Sequence, residues 1–330
     1  MASFDETFDS LRHRFEEDKQ PISPVTLGAI SKNGSIHYVK GFGKESDNAG
    51  SNGVHWLASC TKLVTIIAVM QCVEKCQLSL NDDIAKVLPE WKDPKILTGF
   101  NEKNEAIFRP VAKAITLRQA IIYVWHLLAH SSGMAYVFMD PLMTRYQELQ
   151  ALQAEKFPQH FLVFEPDEQW MYSPGIDWAG VLVERITFMK LGEYMQRHLF
   201  DVIYQGVLTG KLLRSESVKE MFQPHLETPK GLDNPAEYSL SSRNAIWNTV
   251  PDDVPVSFGI GGLINTTAVP KRRGVNSLTW SGLPNCYWWI DLNNGVAGMY
   301  LSQLIPSGDE KAIELLTKFE EFVYSSLDKS

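Results

Sequence analysis

Ser59-Cys60-Thr61-Lys62 places a hydroxyl and an amine three residues apart. Positions i and i+3 share one helical face, which predicts the Lys62 amine within reach of the Ser59 hydroxyl. An alcohol attacks a carbonyl at neutral pH only with a base at hand, and a desolvated lysine is such a base. A nucleophile at a helix N-terminus also gains unpaired backbone amides and a positive dipole end to hold an oxyanion. The chemistry on offer is acyl transfer through an esterified serine. Spacing alone is not specific, since Ser326-Leu327-Asp328-Lys329 repeats it in a polar C-terminal stretch. Context separates the two. Leu63, Val64, Ile66, Ile67, Val69, Met70 and Val73 follow Lys62, apolar nearly all round, and predict a buried helix. Without further residues, the plain N-cap of that helix is the better reading of Ser59.

Two other stretches bear on the choice. Tyr172-Ser173-Pro174-Gly175 precedes a helix, and its Pro-Gly turn holds Tyr172 where a phenol could carry protons in a cleft. Trp280-Ser281-Gly282-Leu283 ends a strand ahead of Pro284, and a glycine there lets a substrate approach the backbone. Taken singly, each is also an ordinary packed aromatic or strand end.

In chain order, Ser59-x-x-Lys62, Tyr172 and Trp280-Ser281-Gly282 resemble the serine β-lactamase and penicillin-binding-protein superfamily, in its class C-like esterase branch. Leu57 to Lys62, Tyr172 to Gly180 and Pro284 to Asp291 are most similar to fungal acyltransferases (transesterases) of polyketide pathways. The resemblance implies Ser59 as acylated nucleophile, Lys62 as its base and Tyr172 as proton carrier. It implies an oxyanion hole from the backbone N–H groups of Ser59 and Leu283, with Trp280, Ser281 and Gly282 as the substrate-binding strand. Whether Lys62 or Tyr172 takes the serine proton stays open.

The chain also departs from the pattern. Proline stands at 174 in place of the asparagine of Tyr-x-Asn. Trp280 replaces a cation that grips a β-lactam carboxylate, which argues against antibiotic hydrolysis. A short extra stretch lies at Ala120 to His126, and several dozen residues are missing around Phe200 to Leu213. Three functions follow. One is an acyltransferase from a small thioester, CoA- or carrier-bound, to a hydroxyl of a secondary metabolite. The second is an esterase using water, and the third a non-catalytic relative with a distorted cleft. No metal or organic cofactor is called for.

These residues need a scaffold to bring them together. Val25 to Ser31 and Ile36 to Phe42 read as strands joined through Asn33-Gly34, a hairpin turn. Ser257 to Ile264, Ser277 to Gly282, Asn285 to Asp291 and Val296 to Gln303 read as strands, with Asn293-Asn294-Gly295 as a second turn. Helices are predicted at Phe4 to Glu17, Ser59 to Cys76, Leu78 to Leu88, Ile176 to Leu199 and Asp309 to Leu327. The expected fold is α/β (α+β) and β-lactamase-like. One antiparallel sheet is built from both ends of the chain, flanked by helices, beside a shortened, mostly helical lobe. A single domain of 1–330 is expected, with an α/β lobe at 1–57 and 255–330 and a helical lobe at 58–254. The site should lie in the cleft between them.

The 330 residues suffice for a large core, and a net charge of −8 argues against nucleic acid and anionic membrane as partners. Cys72 and Cys76 sit a turn apart without a second pair, so small core roles are expected for them, and His126 and His130 lack a His-Glu-x-x-His frame, so helix-end or core roles are expected for these. Gly259-Ile260-Gly261-Gly262 departs from a dinucleotide fingerprint at Ile264. No Gly-x-Ser-x-Gly elbow occurs. Four scattered cysteines and an N-terminus without a signal-peptide pattern fit a cytoplasmic protein.

Overall fold

In the strand Cys286–Asp291 every residue is buried, which requires layers on both faces of the sheet. Its alternation sorts the side chains. Tyr287 and Trp289 enter one core, with Phe319 and Leu315 of the C-terminal helix, while Cys286, Trp288 and Ile290 enter the other, with Ile66 and Trp280. Residues 6, 8–10, 24–43, 53–111, 124–152, 160–199 and 212–327 are described by the structure, a computed structural model.

The strands are β1 (Val25–Ser31), β2 (His37–Phe42), β3 (Lys95–Phe100), β4 (Ala106–Pro110), β5 (Val256–Phe258), β6 (Leu263–Asn265), β7 (Leu278–Gly282), β8 (Cys286–Asp291) and β9 (Val296–Leu301). The helices are α1 (Lys62–Glu74), α2 (Val124–Leu128), α3 (Pro141–Leu152), α4 (Gly175–Thr187), α5 (Leu191–His198), α6 (Ser215–Met221), α7 (Leu240–Trp247) and α8 (Glu310–Leu327). Seven strands form one antiparallel sheet in the order β2-β1-β9-β8-β7-β6-β5, so the two ends of the chain meet at β1 and β9 as the sequence predicts. Gly298 on β9 gives Trp289 its room: a Cβ there would lie 2.1 Å from the indole.

Four elements differ from the sequence reading. The strand expected over 257–264 is two short strands, β5 and β6, folded back at Gly259–Gly262, where Gly259 N donates to Gly262 O. The long helix over 176–199 breaks at Phe188, whose left-handed φ of 55° ends α4; Glu184 then accepts from Leu191 N and starts α5. The stretch 78–88 supplies only a 3-10 turn, Ile84–Lys86, capped by Asp83. The helical region also contains a hairpin, β3–β4, whose turn is held by the Asn101 side chain accepting from Lys103 N and Glu105 N. Most of the N-terminal helix expected at 4–17, most of the extra stretch at 120–126 and most of 200–213 lie outside the described residues.

Candidate active site

The predicted helix at Ser59 is two pieces. Ala58–Thr61 is a 3-10 turn, and the α-helix proper starts at Lys62. Ser59 is not a helix cap. The α1 N-cap is Thr61, whose hydroxyl turns back to Ala58 O instead. Ala58, just before the nucleophile candidate, has φ 45°, an uncommon conformation for a residue with a Cβ and a frequent companion of functional turns. One contact fixes this turn against the sheet. A Cβ on Gly282, the last residue of β7, would meet Leu57 O at 2.2 Å. Glycine is therefore required for β7 to lie against the Ser59 turn. Gly282→Ala should push Leu57 and the turn away; displacements of about 1 Å cost on the order of 100-fold in rate. Stopped-flow acylation of the variant, beside a thermal melt, checks this, and an unchanged rate would refute it.

Tyr172 reaches the site from the opposite side. Its segment is laced to the one after α2, with Met171 N donating to His130 O and Tyr136 N to Tyr172 O. The Tyr172 hydroxyl donates to Ser59 Oγ at 2.5 Å, joining residues 113 apart in sequence. The Tyr172 ring leans on Trp280 at 5.2 Å and His130 at 4.9 Å between centroids. Lys62, only 7% exposed, has its Nζ 5.3 Å from the Tyr172 ring centroid and 5.5 Å from that of Tyr136. Among the described residues, no hydrogen bond joins Lys62 to Ser59. The lysine faces the carboxylate of Asp177, in the first turn of α4, at 3.9 Å. The other Asp177 oxygen accepts the hydrogen of Tyr136 Oη. Burial first, and then this carboxylate, push the Tyr136 phenol far above its ordinary range.

His130 stands behind Tyr172 and is fully buried, with Nδ1 shared with Ser173 Oγ at 3.0 Å. Burial first, and the Lys62 charge second, hold its pKa well below 6.5, so the ring is neutral. Unfolded, it would titrate near 6.5. Below that pH the unfolded chain binds the extra proton, and stability falls as pH drops by up to about 1.4 kcal/mol per unit. Urea unfolding at pH 7.5 and 5.5 should show this loss. His130→Asn should be less stable but flatter with pH; equal slopes in both proteins would count against it. His126, the other histidine of the pair, is bonded to Asp167 at 2.9 Å.

A cavity of about 670 Å³ opens over Ser59. Ser59, Lys62, Tyr172, Trp280, Ser281 and Leu283 all line it, so the residues singled out in sequence converge. Gly282 backs the Ser59 turn and is not part of the lining. Ser281 has its hydroxyl engaged, donating to Ala245 O of α7 at 2.6 Å. Sequence reasoning missed Ser241, Ser242 and Ser307, which add hydroxyls to the wall, and it missed Asp177. The signal for Asp177 was a carboxylate one turn beyond the proline that replaces an expected asparagine. Tyr136 and Phe138 also line the cavity, whereas Trp170 and Tyr287 are core residues.

Fold and cavity define an acyl-transferring enzyme of β-lactamase-like architecture. Residues 24–205 match the model of the Beta-lactamase family, to which the chain belongs. The chain is 29% identical to the lovastatin esterase of Penicillium rubens, over 93% of this chain and 95% of that protein. It is 30% identical to the monacolin J acid methylbutanoyltransferase of Aspergillus terreus, over 82% and 81% of the two. Unliganded simvastatin synthase from Aspergillus terreus superposes with a TM-score of 0.85 at 25% identity, covering 100% of both chains. The esterase alignment runs over 389 positions, more than the chain has residues, so gaps in this chain fall within the shared stretch. The names of these relatives describe an esterase of lovastatin and a transferase of a methylbutanoyl group. Among the described residues, no helix is long and apolar enough to cross a membrane.

Proposed function

We propose that this enzyme moves an acyl group from a small thioester, carried by coenzyme A or a carrier protein, to a hydroxyl of a polyketide-type metabolite. The observation that carries this reading is the 2.5 Å bond between Tyr172 Oη and Ser59 Oγ on the floor of a largely apolar cavity. Ser59 Oγ attacks the thioester carbonyl, and its proton passes into the Lys62–Tyr172 pair. The oxyanion of the tetrahedral intermediate is held by the backbone N–H groups of Ser59 and Leu283, which border the same cavity. Collapse breaks the C–S bond, and the thiolate leaves with a proton from Tyr172. The acceptor hydroxyl then attacks the Ser59 ester while Tyr172 takes its proton; collapse breaks the bond from the acyl carbon to Ser59 Oγ, which regains a proton from the Lys62–Tyr172 pair, so the protein ends as it began. Trp280, with Tyr136 and Phe138, offers an apolar wall for the acceptor.

Esterase action is the second reading, favoured by the lovastatin esterase among the relatives. It shares the first half-reaction and differs in using water. The four cysteines are free thiols, which supports a reducing, cytoplasmic setting. Intact-mass spectrometry after incubation with a short acyl thioester tests the proposal. One acyl mass on the wild type, released faster by added alcohols than by water, is the expected result. A folded protein that never gains the mass would refute the acyl-enzyme.

A further inference from the structure

Lys62 is a buried lysine, and its charge state decides what it can do. A neutral amine takes a proton from Ser59, whereas an ammonium stabilises negative charge on the oxygens beside it. The groups facing it come from several elements. Asp177 of α4 lies at 3.9 Å, the rings of Tyr136 and Tyr172 at 5.5 and 5.3 Å, and His130 and Cys60 within electrostatic range. Burial keeps His130 and Cys60 uncharged, and Tyr136 is held protonated. Asp177 is thus the anion of this group that meets Lys62. Its orientation is not left to solvent, although the side chain is 58% exposed. Tyr136 Oη donates to Oδ2 and leaves Oδ1 toward Lys62 Nζ. Both tyrosine rings present their faces to the same ammonium, which is attractive for a cation and indifferent for an amine.

We propose that Asp177 is a positioning residue of the acylation step, holding Lys62 as an ammonium ion against the Tyr136 and Tyr172 rings. The sequence gives a reason for a carboxylate here. Pro174 has no side-chain amide to offer the lysine, and Asp177, one turn into α4, faces it instead. Held as an ammonium, Lys62 does not take the serine proton. It supports negative charge on the Tyr172 and Ser59 oxygens, and the Ser59 proton passes to Tyr172 Oη as Tyr172 gives its own proton to the departing thiolate. The inference rests on the acyl-enzyme reading above for its kinetic consequence, but not for the charge of Lys62.

Asp177→Asn keeps an oxygen for Tyr136 and removes the charge. The alkaline limb of the pH–rate profile for Ser59 acylation should move down by about one pH unit. On the alkaline side of both limbs, acylation should fall by about tenfold, with KM little changed. Asp177→Glu, which keeps the charge, should restore much of the limb. A second readout is independent of turnover. With ¹³Cε-lysine labelling, the Lys62 resonance, assigned by its absence in Lys62→Arg, should titrate at lower pH in Asp177→Asn than in the wild type. Coincident titration curves for the two proteins would overturn the inference, whatever the rates. A titration difference between the two proteins, with no acyl adduct on the wild type, would refute the acyl-enzyme and leave the Asp177–Lys62 coupling standing.

Discussion

Ser59→Ala should gain no acyl mass from any thioester or ester, and its turnover should fall by at least about 10⁴-fold. The size of this effect follows from the chemistry: without the hydroxyl there is no covalent intermediate, and only binding and oxyanion stabilisation remain. The substitution is small in structural terms. Ser59 is partly exposed, its hydroxyl sits in the cavity, and the 3-10 turn is held by backbone bonds such as Cys60 N to Leu57 O. The hydrogen bond lost is the one from Tyr172. A hydrogen bond of that kind contributes on the order of 1 kcal/mol to stability, so the variant should melt close to the wild type. An intact fold with no adduct would then locate the nucleophile. Full turnover in Ser59→Ala would sink the mechanism. An adduct that persists on the variant would direct attention to another nucleophile, and peptide mapping would identify it.

The parts of this molecule legible in the sequence are those set by local pattern. Asn33-Gly34 marks a hairpin wherever it falls between apolar runs, and β1 and β2 pair around it as expected. The order of Ser59-x-x-Lys62, Tyr172 and Trp280 named the cavity wall before any distance was known. What escaped depends on contacts across the fold. Asp177 meets Lys62 only because α4 packs on α1, and nothing in the hundred-odd intervening residues encodes that crossing. The break at Phe188 escaped because apolar periodicity runs on through it, while the reverse of direction is made by one left-handed residue and the Glu184 side chain. The turn at Gly259 to Gly262 lies between apolar runs that suit a strand on either side; its three glycines are poor strand formers, and the tight turn is defined by the pairing of β5 with β6. The Lys62 contact with Ser59 predicted from i, i+3 spacing is the instructive miss. The spacing puts both on one face, but the 3-10 turn at Ser59 and the carboxylate across the cleft decide where the amine points.

Tyr172→Phe should slow acylation by about 10²- to 10⁴-fold while leaving the aromatic cluster in place. The ring contacts with His130, Tyr136 and Trp280 involve carbon atoms that phenylalanine retains, so packing behind the site is preserved. The phenolic oxygen is what disappears, and with it the group bonded to Ser59 Oγ. Two duties are lost together, taking the serine proton and delivering one to the leaving group, and leaving-group chemistry separates them. A nitrophenolate departs without protonation, whereas an alkyl alkoxide or a basic thiolate needs a proton. Loss of the first duty alone would slow aryl and alkyl esters equally. Loss of both should slow alkyl esters and thioesters further than nitrophenyl esters. Parallel single-turnover rates with the two substrate types, read by the growth of the Ser59 adduct, make that comparison. An equal penalty would confine Tyr172 to deprotonating Ser59 and assign the leaving-group proton to Lys62. Rates matching the wild type with both would remove Tyr172 from the chemistry, and the 2.5 Å contact would then be a packing feature of the cavity floor.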